Sequence, residues 1–380
     1  LARMIKQILP LFALASVFAI SQAENFLPIF PGRPLASRTA FAASDPAAAL
    51  HLRGRGAKPS HAALSPETSD ADDDGGTRKY RYRSRVAYDG TNFSGFQIQS
   101  SQGVAGRTVQ GALAAVLSRR FCGEVTVVGS GRTDTGVHAR GQAVHFDLPA
   151  RLTEGGGGDG VSDTEQEECR ALERCLNAML NYDLNLYGLE PAPPSDVPGH
   201  DGVDGSARAE RPWHAIACSR AKLYSYRLTA HPVADPLRRY TRAHVHRPVD
   251  TEVLRRCLGR FVGAHDFRCF AGAVEQNERR RGMAAGTTDT TRTVFRVDLL
   301  EEDAGRGDYR IDFYLKGALY RMVRNMVGTA LAVATGDMSE DELLRLLRRG
   351  EDGALTRADN LAKPAPPEGL TMEWVYYDDY

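Results

Sequence analysis

The sequence predicts an α+β protein built on antiparallel sheets, and three observations carry that expectation. Segments such as Tyr309–Leu315 alternate apolar and polar residues, the period of a half-buried strand. Helix-period segments lie among them without the strict strand–helix–strand alternation that marks a parallel sheet. Of the 380 residues, 42 % are hydrophobic and 25 % charged, a balance that supports a packed core.

The chain opens on Leu1 with Arg3 and Lys6, followed by an apolar run from Ile8 to Ile20 that ends in Ser21-Gln22-Ala23. A charged start, a short apolar stretch and small residues at a cut describe a secretory-type signal. The run is too short for a comfortable membrane span, so no membrane is expected in the mature protein. An Ala-, Ser-, Pro- and Arg-rich stretch follows, and residues 1–68 hold seven Lys/Arg against three Asp/Glu. Signal followed by transit sequence resembles the two-part leaders that direct proteins to plastids. Plastid delivery is the favoured expectation, with mitochondrial or secretory routing as alternatives. Residues 1–77, including the acidic Ser69–Gly76, are therefore set outside the fold.

From Arg81 the elements follow in order. Arg81–Tyr88 reads as a strand. Thr108 is placed to cap a helix whose Val109, Leu113, Val116 and Leu117 share one face. Val125–Val128 and Ala143–Leu148 read as strands around a loop, Ala171–Leu180 as a helix and Leu184–Leu189 as a strand. These make an N-terminal domain over 78–190. Residues 191–212, rich in Pro, Gly and Asp, read as an insertion, and a C-terminal domain spans 213–380. In it, strands are expected at Ala215–Cys218, Leu223–Leu228, Val294–Leu300, Tyr309–Leu315 and Thr371–Tyr377. Helices are expected around Val253–Phe261, Arg321–Thr335 and Glu340–Arg348. Thr153–Glu168 and Gly272–Thr290 read as surface insertions too polar to offset their ordering entropy. No short-period repeat is visible.

The net charge is zero, yet the charge is segregated. Arg78–Leu148 holds ten Lys/Arg against four Asp/Glu, a balance of +6, whereas Leu152–Glu210 holds three against thirteen, a balance of −10. Since phosphate binding depends on the local field, the first stretch permits an RNA partner. The six cysteines are scattered with no C-x-x-C pair, so neither a metal site nor a disulfide framework is indicated. His244-x-His246 lacks nearby acidic or Cys ligands and reads as two surface histidines on a strand. On Arg81-x-Arg83-x-Arg85 the alternation predicts one basic strand face, equally suited to RNA contact or solvation.

The chemistry concentrates in Gly129-Ser130-Gly131-Arg132-Thr133-Asp134-Thr135-Gly136-Val137-His138-Ala139. Here a Gly-punctuated loop between two strands presents one carboxylate beside an arginine, the kind of place where reactive groups sit. By residue type alone, Asp134 caps a local N–H in a tight turn. Asp134-Thr135-Gly136 is also the aspartic-protease triplet, but that chemistry needs two carboxylates sharing a proton, and no second copy occurs.

The longer match, Gly131-Arg132-Thr133-Asp134-x-Gly136-Val137-His138-Ala139 with Gly141-Gln142 and Val144-His145-Phe146, resembles the active-site motif of the bacterial-type tRNA pseudouridine synthases, the TruA family. Further resemblances follow in the family's order. They are Tyr88-Asp89-Gly90-Thr91-x-Phe93-x-Gly95-Phe96-Gln97, Thr108-Val109-Gln110-Gly111, Leu176-Asn177, Lys222-x-Tyr224-x-Tyr226, His265-Asp266-Phe267-x-x-Phe270, Arg292-Thr293-Val294, Gly317-x-Leu319-x-x-Met322-Val323-Arg324-Asn325 and Ala365-Pro366-Pro367-Glu368-Gly369-Leu370.

This resemblance implies a pseudouridine synthase fold: two similar α+β domains whose antiparallel sheets join side by side, with the active-site cleft between them. It implies uridine-to-pseudouridine isomerisation at tRNA positions 38, 39 and 40, without cofactor or metal, by a homodimer that holds the anticodon arm. Asp134 would be the nucleophile, Arg324 its partner and Tyr224 the ring stacked on the extruded base. Arg132, Thr133, His138, Gln142, Gln97 and Lys222 would contact substrate. A related synthase acting on other RNA uridines, or a non-catalytic RNA-binding or folding factor, is the alternative. Three departures stand out: Ile216 replaces the family's usual arginine, Phe96 its tryptophan and Asn181 its proline.

Overall fold

The computed structural model describes residues 79–99, 106–149, 151–152, 163–193, 212–349 and 353–377. The expected leader and most of the 191–212 insertion lie outside them. Among the described residues ten strands form one sheet: β1 (Tyr80–Tyr88), β2 (Val127–Gly129), β3 (His138–Leu148), β4 (Leu184–Pro191), β5 (Ala221–Thr229), β6 (Ala243–His244), β7 (Gly263–Asp266), β8 (Thr291–Asp303), β9 (Asp308–Leu315) and β10 (Leu370–Tyr376). Their spatial order is β4-β1-β3-β10-β5-β9-β8-β7, with β2 on β3 and β6 on β5. Most neighbours are antiparallel, as the alternating patterns predict. At the centre, β3 and β10 meet in a short parallel pairing, Thr371 opposite His138 and Met372 opposite Ala139. The last strand of the chain thus seats itself against the strand that leaves the Asp134 loop.

Among the described residues six α-helices accompany the sheet: α1 (Val109–Phe121), α2 (Asp163–Met179), α3 (Thr251–Gly259), α4 (Val274–Arg280), α5 (Met322–Ala334) and α6 (Glu340–Leu347). Thr108 caps α1 as expected, its Oγ1 accepting the Gly111 N–H at 3.2 Å. Ser339 and Glu342 form a reciprocal capping box at the start of α6. Helix α5 is buried nearly all round. Its close neighbour is the chain at 363–365: a Cβ on Gly328 would stand 2.0 Å from the Lys363 carbonyl oxygen. An alanine in a helix interior ordinarily gains ~1 kcal/mol over glycine. Here it collides with backbone, so Gly328→Ala is expected to destabilise the fold by about 2 kcal/mol, read as a lowered denaturation midpoint.

Several expectations are corrected. Ala215–Cys218 is a turn: His214 Nδ1 accepts from Ile216 N at 3.2 Å and Ala217 N at 3.4 Å, and its carbonyl accepts from Cys218 N at 3.0 Å. Helix α2 starts at Asp163, inside the expected 153–168 insertion, with Glu165, Cys169, Leu172 and Leu176 turned inward. The 272–290 stretch is no solvated loop either. It contains α4, and Glu278 (2 % exposed) accepts from Arg268 at 3.0 and 3.3 Å and from the Gly286 and Thr288 amides. Four charge-assisted bonds order a segment whose composition alone could not.

The arginine row of β1 serves the sheet rather than RNA or solvent. Arg81 forks onto Asp147 at 2.6 and 2.7 Å, and Arg83 meets Glu190 at 2.8 Å. Arg85 donates to the Gly141 and Val375 carbonyls, and its guanidinium lies 3.5 Å from the centre of the Trp374 ring. Arg83 and Arg85 are both buried.

Candidate active site

The Asp134 loop is held from four sides. Beneath it, Ser130 (1 % exposed) donates through its hydroxyl to Gln142 Oε1 at 2.6 Å, and Gln142 Nε2 donates to the Gly131 carbonyl at 2.6 Å. From β5, Lys222 Nζ donates to the Ser130 carbonyl at 2.6 Å. From β1 and the loop after it, the Tyr88 hydroxyl shares a 2.8 Å hydrogen bond with Thr133 Oγ1, and Phe96 N donates to the Thr133 carbonyl at 3.1 Å. Gly95 (φ +93°) is required here: a Cβ would meet the Thr133 carbonyl oxygen at 2.9 Å, and a side chain is strained at that φ. On the fourth side Pro367 packs against Gly136, whose φ is +79°.

This cage fixes the Asp134 carboxylate against Arg324, in the first turn of α5. Arg324 Nη1 donates to Asp134 Oδ2 at 2.8 Å, while its Nε donates to the Ala365 carbonyl at 2.8 Å. The two side chains are 11 % and 13 % exposed, so the pair is largely shielded from water without being sealed. A planar guanidinium suits the task, since one edge grips the backbone and the other presents an N–H to the carboxylate.

The pair stands in a cleft of about 930 Å³. Among the described residues, seven cations line it (Arg132, Lys222, Arg280, Arg281, Arg292, Arg321 and Arg324) against one carboxylate, Asp134. The aspartic-protease alternative thereby fails, because the partner of Asp134 is a guanidinium and not a second carboxyl. Tyr224 also lines the cleft; burial and the Asp134 charge push its hydroxyl well above the usual phenol range, so it stays protonated. Among the described residues no group of three or more His, Cys, Asp or Glu is arranged to hold a metal ion. The His244 and His246 rings meet edge-on with their centroids 4.2 Å apart, and His244 Nε2 lies 2.7 Å from the His231 carbonyl oxygen.

Burial lowers Lys222 from 10.5 to about 8. Two consequences follow. For stability, the desolvation penalty is full below pH 8, where the lysine is charged folded or unfolded. It fades between 8 and 10.5, so this group makes the fold more stable as pH rises through that window. For the cleft, a positive charge is lost above pH 8. A basic limb near pH 8 in kcat/KM is therefore expected, and Lys222→Arg is expected to move it to higher pH. An identical limb in both proteins would remove Lys222 as its source.

Of the residues singled out from sequence, Asp134, Arg132, Thr133, Lys222, Tyr224 and Arg324 converge on the cleft. Three do not. Gln142 is fully buried and spends its amide on Ser130 and Gly131, so it shapes the loop without reaching a substrate. His138 is buried too: its Nδ1 accepts the Gly90 N–H at 3.0 Å and sits 3.2 Å from Asp89. Gln97 is absent from the lining, which Gln99 joins instead, Nε2 donating to the Ser94 carbonyl at 3.0 Å. Sequence reasoning missed Asn277, Arg280, Arg281, Tyr320 and Arg321. Their one visible signal was the Arg279-Arg280-Arg281 run, which its place in the expected 272–290 insertion reads as solvated.

A family model described as tRNA pseudouridine synthase matches residues 85–188 and 258–378. Both members of the Asp134–Arg324 pair fall inside those stretches. The chain is 32 % identical over 298 residues to tRNA pseudouridine synthase A 1 of Protochlamydia amoebophila, covering 78 % of this chain and 96 % of the relative. It is also 32 % identical over 298 residues to tRNA pseudouridine synthase A of Latilactobacillus sakei, covering 78 % and 98 %. With the same enzyme of Leuconostoc citreum the figures are 31 % over 305 residues, 79 % and 98 %.

Proposed function

This chain belongs to the TruA family of tRNA pseudouridine synthases, and from that premise we propose that it isomerises uridines 38, 39 and 40 of the tRNA anticodon stem-loop with Asp134 as covalent nucleophile. The observation that carries the reading is the shielded Asp134–Arg324 pair in a cleft whose other charged lining groups, among the described residues, are all cations. Uridine and pseudouridine are isomers. The N1–C1′ bond breaks, a C5–C1′ bond forms, the C5 proton leaves and N1 ends protonated. While the uracil turns over, an Asp134 carboxylate oxygen bonded to C1′ in place of N1, or added to the ring, keeps the cleaved nucleotide from being lost; that bond breaks again as product forms and returns the free carboxylate.

The remaining groups have parts that follow from their positions. C5 and C1′ are out of reach in a stacked stem, so the nucleotide must leave the helix. Arg132, exposed and next to the nucleophile, fills the gap the base vacates. Tyr224 stacks on the extruded ring, an interaction worth roughly 1–3 kcal/mol for a base on an aromatic. The positive field of Lys222 and of the cleft arginines other than Arg324 favours phosphates. Two copies of the chain would hold one tRNA between them.

Mapping pseudouridine at single-nucleotide resolution in tRNA treated with the protein tests this reading. Product at 38–40 supports it. Product at other uridines would point to a related specificity, and binding without product to an RNA-folding role.

A further inference from the structure

Helix α4 and the residue after it carry Asn277, Arg280 and Arg281 to the cleft, and nothing in the chemistry at Asp134 calls for them. The chain enters α4 beside the Arg324 helix: Gly272 N donates to the Tyr320 carbonyl at 2.8 Å, and a Cβ on Gly272 would come within 2.8 Å of the Tyr320 ring. Ala273 then turns into the helix with φ +60°, and Val274 is buried (6 % exposed). Toward its end, the buried Glu278 takes both Arg268 Nη groups and the backbone amides of Gly286 and Thr288 in the loop that follows. Such an anchor fixes which way the following arginines face.

Arg279, Arg280 and Arg281 are all exposed, but only Arg280 and Arg281 line the cleft, beside Asn277. Among the described residues no ion pair engages either of them. The β1 arginines, by contrast, are satisfied by protein partners. Two guanidiniums kept without a carboxylate, on a rigidly seated helix at the rim of a cation-lined cleft, match the ribose-phosphate backbone of an RNA strand.

We propose that α4 is a phosphate clamp: Arg280 and Arg281 hold two backbone phosphates of the RNA strand that carries the target nucleotide, with the Arg268–Glu278 pair as the positioning device. The clamp rests on the reading of the cleft as an RNA site, and it adds a contact surface to that site. Arg279, one residue away and equally charged, lies outside the cleft and takes no part.

The test measures tRNA binding directly, by filter retention of unmodified tRNA over a series of salt concentrations, with pseudouridine formation recorded in parallel. For the Arg280→Gln/Arg281→Gln double variant, affinity at 0.15 M salt is expected to fall about tenfold, and the slope of log K against log salt to become shallower by about 1.4, two single-strand phosphate contacts. Arg280→Lys/Arg281→Lys is expected to restore the slope, because counterion release counts charges. Arg279→Gln is expected to match the wild type. A double variant with unchanged slope, or an Arg279→Gln loss as large as that of the pair, overturns the clamp. A wild type that binds tRNA through a slope set by Arg280 and Arg281 yet forms no pseudouridine keeps the clamp and overturns the proposed reaction.

Discussion

Asp134→Asn is expected to lower the rate of pseudouridine formation by on the order of 10⁴-fold or more, as removal of a covalent nucleophile does. The substitution is nearly isosteric, and the amide oxygen can still accept from Arg324 Nη1, which now sits 2.8 Å from Oδ2. The loop is held by contacts that do not use the carboxylate: Ser130 and Gln142 below, Lys222 from β5, Tyr88 and Phe96 from the first strand and its loop. The fold and tRNA affinity are therefore expected to survive within a small factor while turnover disappears. A melting curve and a binding isotherm on the same preparation separate these outcomes.

Replacement of Arg324 is expected to have the second largest effect, and the kind of replacement matters. Arg324→Met removes the positive charge beside Asp134 and also the Nε–H bond to the Ala365 carbonyl. The pair is part-buried, so the lost partner leaves a carboxylate in a setting with little water. A fall of roughly 10²–10³-fold in kcat is expected, the scale seen when one preorganised electrostatic group is deleted. Arg324→Lys is expected to rescue little of it. An ammonium is a point charge on a flexible stem, and it cannot grip the Ala365 carbonyl and the carboxylate from two edges of one plane. Full rescue by lysine would mean that charge alone, and not the fork, is what α5 contributes.

How much of this was legible beforehand depends on distance along the chain. Local patterns were enough for β1, β5, β9, α1 and α6, because alternation, helical period and the Thr108 cap act within a few residues. The turn at 215–218 escaped because the His214 ring satisfies two amides, a side-chain detail that a short apolar stretch does not announce. Partners across the sheet were invisible in the same way. The alternation Arg81, Arg83, Arg85 showed a basic face, but Asp147 and Glu190, which neutralise it, lie 66 residues after Arg81 and 107 after Arg83.

At the site the limit is sharper. Asp134 and Arg324 are 190 residues apart, and only family resemblance linked them before the fold closed the gap. The same resemblance placed His138 and Gln142 in the substrate's path. A motif preserves residues that build a loop as faithfully as those that use it, and burial is what tells them apart. Helix α4 was hidden for the opposite reason. Its composition is that of a loop, and the order comes from Arg268, ten residues upstream of the Glu278 it binds.

The most direct test of the account uses tRNA carrying tritium at C5 of its uridines. Because the new glycosidic bond is made at C5, every turnover releases that label to water. The wild-type protein is predicted to release it at a steady rate, and Asp134→Asn to bind the same tRNA with comparable affinity and release none above background. Tritium release by Asp134→Asn at the wild-type rate would contradict the assignment of this carboxylate as the nucleophile.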